Sequence, residues 1–382
     1  MSRRVAISGA GPAGLCLANL LSKQAGFSVR VFERDAHLHA TPQGGSLDLH
    51  EDAQAAIQSA GLFSEFKKYA RYGDQDSVIM DKHGKVHMEM KEPDQNKPEI
   101  DRGALREILA NGLPKDIIKW GTKVDRVEPR RVHFGDGSSE QFDLIVGADG
   151  AWSKVRPLLT TVPPFYAGIS GYDANIRNAS TKHPELVKAL CNGTTFVTAG
   201  SEGCFVVQKN GNDCYKSYYL KPTPEDWVKT NGIERSGETQ RKAILEDMRD
   251  WSPFIRDIVK AYDDDIVQRP IYMLMPGIAW DSKPTVTAIG DAISLQSPYA
   301  GLGVNTAIAE AHKLAQCLIQ HKDDQHKAIE EYEAWTHEYA RSKMELSWNN
   351  LQMFMKEGAI EKIKMFIEMQ AAEAGAEESK PE

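Results

Sequence analysis

Cysteine is scarce in this chain of 382 residues: Cys16, Cys191, Cys204, Cys214 and Cys317 make an odd number, and no two are spaced as a CxxC pair. That excludes a disulfide framework and a thiolate zinc site, and it predicts free thiols in a reducing compartment. Positive charge is not in excess either. A formal net charge of -8 offers no broad Lys/Arg surface to nucleic acid, although a local basic pocket for one small anion is compatible with it. No run of about 18 apolar residues occurs. The amino end, MSRRVAISGAG, carries two arginines and then a strand-like run instead of an apolar segment with a small-residue cleavage site. The expectation is a cytoplasmic protein with no membrane partner, and a monomer by default. Internal repeats and long flexible linkers are absent too. With 41% hydrophobic and 26% charged residues, the composition is that of a globular chain ordered nearly end to end.

Catalytic spacing is also missing. The histidines and serines form no triad, so no nucleophile or general base is assigned. His37, His39 and His50 are the one histidine group that resembles a metal pattern, but their separations are not those of a compact zinc motif, and no metal is expected.

What is present is glycine in particular places. RVAIS (4 to 8) reads as a buried strand, GAGPAG follows, a helix runs from Ala13 to about Gln24, and VRVFE (29 to 33) is a second strand. In this βαβ unit the three glycines have separable tasks. Gly9 permits the tight exit from the strand, Gly11 lets a pyrophosphate approach the backbone, and Gly14 lets helix pack on sheet. The phosphates would then meet unpaired amides at the helix N-terminus, beside Ala13. Glu33 ends the second strand about 20 residues beyond the turn, where a carboxylate accepts hydrogen bonds from both ribose hydroxyls and repels a ribose 2′-phosphate. The adjacent Arg34 is included in the same cofactor site. These features predict a dinucleotide, and by themselves they do not separate FAD from NAD.

Further along, AQAAIQSAGLF (53 to 63) and DRGALREILANGL (101 to 113) read as helices, and SVIMDKHGKVHMEM (77 to 90) reads as a hairpin turning at His83-Gly84. Residues 123 to 150 alternate like a strand meander closing on LIVGADG. From about Gly168 to Tyr219 the pattern is strand and turn, with a helical stretch only at roughly 238 to 262. TVTAIGDA (285 to 292) returns to a buried strand ending in glycine, and 304 to 321 is an amphipathic helix. From Gln325 the chain is helical almost to Ala371, with a break near Gly358. The first and last thirds therefore form one discontinuous domain around the middle one.

Three further segments, GGSLDLH (44 to 50), VGADG (146 to 150) and AIGDAISLQSPYAGLGVNTAIAEA (288 to 311), stand in order behind the first fingerprint. Together they resemble the FAD-dependent aromatic-hydroxylase-like (class A) monooxygenases, the tetracycline-inactivating flavin monooxygenases most of all. The resemblance runs from about residue 4 to 320 and is weakest between roughly 160 and 215. It implies an α/β fold: a Rossmann-like FAD-binding domain, an inserted antiparallel-sheet substrate domain, and a C-terminal bridging helix. The boundaries expected are 1–167 and 279–322 for the FAD-binding domain and 168–278 for the substrate domain, with further strands contributed from 77–100. A helical segment at 323–371 and a frayed acidic tail at 372–382 complete the chain.

The resemblance also assigns residues. Glu33 is similar to the family's ribose-binding acid, and Asp48 and Arg102 to flavin-contacting residues. Arg106, one helical turn beyond Arg102, is expected to share its face and reach the same anionic cofactor. Asp149 and Gly150 resemble the DG motif near the pyrophosphate, and Asp291 resembles the acid at the ribityl or phosphate region. Pro298, Gly301, Gly303, Val304 and Asn305 resemble the loop bordering the isoalloxazine ring. Phe196, Phe205 and Tyr215 are expected to supply aromatic surface to substrate.

The implied reaction uses FAD, with NADPH or NADH as a transient co-substrate, and places one atom of molecular oxygen on a polycyclic or phenolic small molecule, tetracycline-like polyketides included. Where the tetracycline-inactivating enzymes have an arginine, a glutamine and a histidine, this chain has Thr41, Ala189 and Tyr215. That removes directional groups a polar polyketide would use. Two other readings stay open at this point: a flavin oxidoreductase that inserts no oxygen, and a non-catalytic flavin-binding protein.

Overall fold

The computed structural model describes residues 2–41, 44–73, 75–91 and 96–365. The expected acidic tail at 372–382 and the end of the expected helical segment, 366–371, lie outside the described residues.

Two compact units are present. Of the described residues, the first combines those within 2–71, 96–167 and 272–348, and the second those within 72–91, 168–271 and 349–365. The segment 272–278 thus belongs with the first unit and not with the substrate domain where the sequence reading put it, and the hairpin segment 72–91 belongs with the second. The terminal helix Gln325–Phe354 divides between them, with its part up to Trp348 in the first unit.

The first unit is built on a five-stranded parallel sheet in the order Val286–Ala288, Leu144–Gly147, Arg3–Ser8, Phe27–Phe32, Ile118–Lys119. Its central strands are apolar on both faces, as a sheet covered on both sides requires. Val5, Ile7, Val31, Leu144 and Val146 pack with the helix Pro12–Ser22 and the helix Gly303–Gln320, which bring Leu15, Leu17, Leu21, Ile308, Leu314 and Leu318. Ala6, Ile145, Val286 and Ala288 pack the opposite face with Phe32, from the second parallel strand, and with Val127, Val132 and Phe142 from the strand meander that was expected between 123 and 150. Where the pattern at 53 to 63 suggested one helix, there are two, Glu51–Ser59 and Phe63–Tyr69. Gly61 between them takes φ +72, a left-handed conformation that ends the first helix.

The second unit holds a seven-stranded sheet. The hairpin Asp76–Asp81/Val86–Met90 turns at Gly84 (φ +83), and its first strand runs parallel to Gly193–Thr198. Gly193–Thr198, Cys204–Asn210, Cys214–Pro222 and Phe165–Arg177 follow, paired antiparallel, and Val267–Met273 lies beyond Phe165–Arg177 as the seventh strand. One face is packed by the helices Gly237–Asp247 and Pro253–Lys260, whose Ile244, Ile255, Ile258 and Val259 meet Tyr172, Val197, Phe205, Tyr215 and Tyr219. Ser236 and Ser252 cap these helices by accepting the amides of Thr239 and Ile255.

Candidate functional site

In a parallel sheet, ligands bind outside the carboxyl ends of the strands, where the turns leave the layer. Four turns of the first unit converge there. Gly9 follows the first strand, Glu33 the second, Ala148 to Gly150 the third and Gly290 the fourth. Their closeness is visible in the glycines. A Cβ on Gly9 would stand 2.3 Å from the Ala148 carbonyl oxygen, and one on Gly14 would stand 2.2 Å from the Gly9 carbonyl oxygen. Gly9 also takes φ +109. Neither position accepts a side chain, so the strand exit and the helix packing predicted for them are both physical requirements of the chain.

Gly11 is different. Among the described residues nothing lies within 4 Å of where its Cβ would be, so the space it leaves is open. It is the N-cap of the helix Pro12–Ser22, with no capping side chain and no acidic residue in the first turn. The amides of that turn are left for an external acceptor.

Glu33 is buried against this loop. Its Oε2 accepts the Ala10 amide at 2.7 Å and its Oε1 accepts the Asp35 amide at 3.0 Å. Arg34 beside it is exposed. Arg106, four positions beyond Arg102 on the same helix, differs from it in burial. It is buried, its Nε donates to the Ala10 carbonyl at 2.9 Å, and its terminal nitrogens donate to Asp35 Oδ2 at 3.1 Å and to the Leu38 carbonyl at 3.2 Å. Its guanidinium also lies 5.5 Å over the Trp120 ring. The expectation that Arg106 reaches the cofactor is therefore corrected. Its donors are committed to protein acceptors, and it holds the Ala10 and Asp35 segments together from behind. Arg102, at the start of the helix Arg102–Asn111, is exposed, and its backbone amide donates to the Gly45 carbonyl.

Asp149 receives the Lys154 amide on Oδ2 at 2.8 Å and the Ser8 hydroxyl at 3.3 Å, while its Oδ1 is buried with no donor among the described residues. Burial raises this carboxyl above its usual range against the hydrogen bonds of Ser153, Lys154 and Ser8. Gly150 follows with φ +78. Asp291, in the turn Gly290–Ala292, is open to solvent yet surrounded by enough protein that desolvation raises its carboxyl, with the Arg102 charge opposing. That combination describes the floor of a cleft.

Asn305 ties two distant motifs together. Its Nδ2 donates to the Asp48 carbonyl and its Oδ1 accepts the His50 amide, both at 2.8 Å. Asp48 itself is raised by desolvation, with Lys97 and Arg71 opposing. Across the antiparallel pair Ser46–Asp48/Glu99–Asp101, Asp48 faces Glu99, which burial and Asp48 push up to about 7. Sequence reading missed Glu99 and its partner Arg71, because nothing in the local pattern pairs two acids 51 positions apart. Gly301 takes φ +65, Gly303 begins the helix Gly303–Gln320 with nothing within 4 Å of its missing Cβ, and Val304 and Ala13 are packed into the core. Pro298 starts the short helical turn Pro298–Ala300, capped by Ser297, whose hydroxyl meets the Ser347 hydroxyl at 2.6 Å.

In the second unit the two-residue period of the strands separates the expected substrate contacts. Phe205 and Tyr215 point to the helix-covered face and are buried in its core, so the expectation that they touch substrate is corrected. Phe196, in register with Val206, which pairs with Tyr218, stands on the opposite face. Phe354, from the end of the terminal helix, packs against it at 6.3 Å between ring centroids. On the same face Asp173 is paired with the buried Lys216 and with Arg269, whose Nε lies at 2.7 Å. Among the described residues no group of acids, histidines and cysteines is arranged to hold a metal ion, and no helix is long and apolar enough to cross a membrane.

The first unit's site therefore fits FAD on its own geometry. It has a side-chain-free strand exit, an uncapped helix N-terminus beside open space, a carboxylate at the end of the second strand, and an orphaned buried acceptor on Asp149. A family model described as FAD binding domain matches residues 2–250 and 280–347. The chain is 30% identical to the monooxygenase penA of Penicillium thymicola, an alignment covering 96% of this chain and 98% of that protein. Among solved structures, Klebsiella pneumoniae HpxO in complex with FAD and uric acid superposes with a TM-score of 0.77 at 20% identity, covering 98% of this chain and 92% of that one. The tetracycline destructase Tet(51) gives 0.71 at 20% identity, covering 97% and 96%.

Proposed function

Because the chain belongs to the FAD binding domain family, as an FAD-dependent monooxygenase of the aromatic-hydroxylase type working with NAD(P)H and molecular oxygen, we propose that its substrate is a polycyclic or phenolic small molecule. The observation that carries the site assignment is the convergence of Gly9, Glu33, Asp149 and Gly290 on one edge of a parallel sheet.

Each of these residues has a task that follows from its chemistry. The amides after Gly11 receive the pyrophosphate, and the open space at Gly11 lets it come close. Glu33 keeps one carboxylate oxygen on the Ala10 amide, which fixes its position, and offers its remaining lone pairs to ribose hydroxyls. Asp149 Oδ1 accepts a hydroxyl or a water at the pyrophosphate end. Asp291, with Arg102 opposite, orients the middle of the cofactor. Asn305 clamps the Asp48–His50 backbone, so the loop does not drift when the flat end of the cofactor lies against it. Held by these residues, FAD would supply the redox chemistry by which NAD(P)H and molecular oxygen place one oxygen atom on the substrate and one in water. The protein's share is to bind, orient and exclude water.

Two features favour a flat aromatic substrate. Phe196 and Tyr218 stand on the sheet face opposite the helices Gly237–Asp247 and Pro253–Lys260, and HpxO, of the same fold, has been solved in complex with uric acid, a fused-ring compound. Tetracycline itself is disfavoured by Thr41 and Ala189, which stand where the tetracycline-inactivating enzymes have an arginine and a glutamine.

The test is to follow NAD(P)H oxidation with a panel of polycyclic phenols while measuring product mass under isotopically labelled oxygen. Substrate-dependent oxidation with one labelled atom in the product is the expected result. Nicotinamide consumption that yields only peroxide with every member of the panel would overturn the substrate class.

A further inference from the structure

Glu310 is fully buried, and among the described residues no lysine or arginine pairs with it. It projects from the helix Gly303–Gln320 onto the turn that carries Asp291. Its Oε2 accepts the Gly290 amide at 2.5 Å and the Ser294 hydroxyl at 3.2 Å, and its Oε1 accepts the Thr336 hydroxyl at 2.9 Å. The acid is thus bonded directly to the backbone of the turn assigned to FAD. Its other side lines a crevice shared with Trp280, Ile293, Thr336, His337 and Arg341, with room for the centre of about one water (10 Å³). His337 Nε2 is buried there without a partner among the described residues, its ring held edge-on against Trp280 at 4.4 Å. Arg341, whose side chain is 62% exposed, marks the outer end. A buried ring nitrogen without a partner beside a buried carboxyl is the kind of site a water occupies, bridging both.

We propose that Glu310 couples the binding of FAD at the Gly290–Asp291 turn to the uptake of one proton, reached from solvent through the water crevice at His337. The inference rests on the assignment of FAD to this site. Binding brings the pyrophosphate's two negative charges into the cleft that already holds Asp291, and added negative charge favours the neutral form of a nearby carboxyl. The proton comes from solvent and remains on a Glu310 oxygen, and no other bond is made or broken.

Burial raises the carboxyls of Glu310, Asp291 and Glu333 alike, and Glu310 is the one bonded to the backbone of the FAD turn. Burial pushes it up to about 7, with the Gly290, Thr336 and Ser294 hydrogen bonds opposing and Asp291 adding to the rise. Of the groups that face it from other elements, Asp291 is raised from the carboxylate range by desolvation, His337 is held below its ordinary value by burial, and Tyr332 and Tyr339 are pushed above theirs. Glu333, one position from Tyr332, is occupied by the hydroxyls of Ser282 and Thr287, and Arg341 keeps its charge, paired with Glu345.

Calorimetric titration of the apoprotein with FAD, repeated in buffers of different ionisation enthalpy between pH 6 and 9, counts the protons taken up. The wild type is expected to take up about half a proton or more at its maximum, above pH 7. Glu310→Gln is expected to bind FAD with that uptake removed. Glu99→Gln, which removes the other acid of the first unit that titrates near 7, is expected to retain it. Thr336→Val deletes a hydrogen bond that favours the carboxylate and should move the uptake maximum to higher pH, which keeps the test open if Glu310→Gln fails to fold. FAD binding by the wild type without proton uptake, uptake unchanged in Glu310→Gln, or an unmoved profile in Thr336→Val would overturn the proposal while leaving the FAD site intact. Absence of FAD binding by the wild type would instead overturn the site assignment on which the proposal rests.

Discussion

Glu33 and Ala10 are joined across the first βαβ unit: the amide of the glycine loop donates to the carboxylate at the end of the second strand, at 2.7 Å. The contact fixes the loop and the ribose-binding acid relative to each other before any cofactor arrives. Glu33→Gln keeps one acceptor for the amide but loses the charge that strengthens bonds to two hydroxyls. Its FAD dissociation constant, read by quenching of flavin fluorescence, is expected to rise about 10- to 100-fold, from the 1.5–3 kcal/mol that charged hydrogen bonds contribute. An unchanged constant would remove Glu33 from the site.

Gly11 and Gly14 separate binding from folding. A methyl group at Gly14 meets the Gly9 carbonyl at 2.2 Å, so Gly14→Ala is expected to lose about 1–3 kcal/mol of stability or more in urea denaturation of the apoprotein. Gly11→Ala meets nothing among the described residues. It should leave apoprotein stability nearly unchanged and weaken FAD binding, because the new methyl occupies the space needed by the pyrophosphate.

Phe205 and Phe196 test the two faces of the second unit's sheet. Phe205→Ala empties a fully buried position and is expected to cost about 3–5 kcal/mol of stability. Phe196→Ala, on the opposite face, should cost less and should raise the substrate KM with folding retained. Equal losses of stability would assign both rings to packing alone.

Glu99 gives a pH dependence with a definite sign. Its carboxyl is pushed up to about 7 by burial first and by Asp48 next, from an ordinary value of 4.5. Ionisation is therefore disfavoured in the folded chain. The stability linked to this group is fully present below about pH 4.5 and is lost as pH rises to about 7, up to about 3 kcal/mol. Glu99→Gln should lack this slope, so that its stability curve, measured by urea denaturation, diverges from that of the wild type between about pH 4.5 and 7. Parallel curves for the two proteins would contradict it.

How much of this was legible in the sequence depended on how local the signal was. Gly9, Gly14 and Glu33 lie within one βαβ unit, and their spacing alone carried their geometry. Asp48 and Asn305, far apart in the chain, were legible only through resemblance to a family, and the structure shows the hydrogen bonds that join them. Arg106 was misjudged because helical spacing says which side a residue faces, while the acceptors that claim it, Ala10, Asp35 and Leu38, come from elsewhere in the chain. Phe205 and Tyr215 were misjudged because alternation along a strand separates two faces without saying which one the helices cover. Glu310 left no sequence signal beyond a lone acid in an apolar helix.

The account rests on an FAD site at the carboxyl edge of the parallel sheet, and titration of the apoprotein with FAD, for the wild type beside Gly11→Ala, tests it most directly. The expected result is stoichiometric FAD binding to the wild type, with the bound flavin reduced by NAD(P)H, and clearly weaker binding to an equally stable Gly11→Ala protein. A wild type that takes up no FAD, or a Gly11→Ala protein that binds it as tightly as the wild type, would contradict the account.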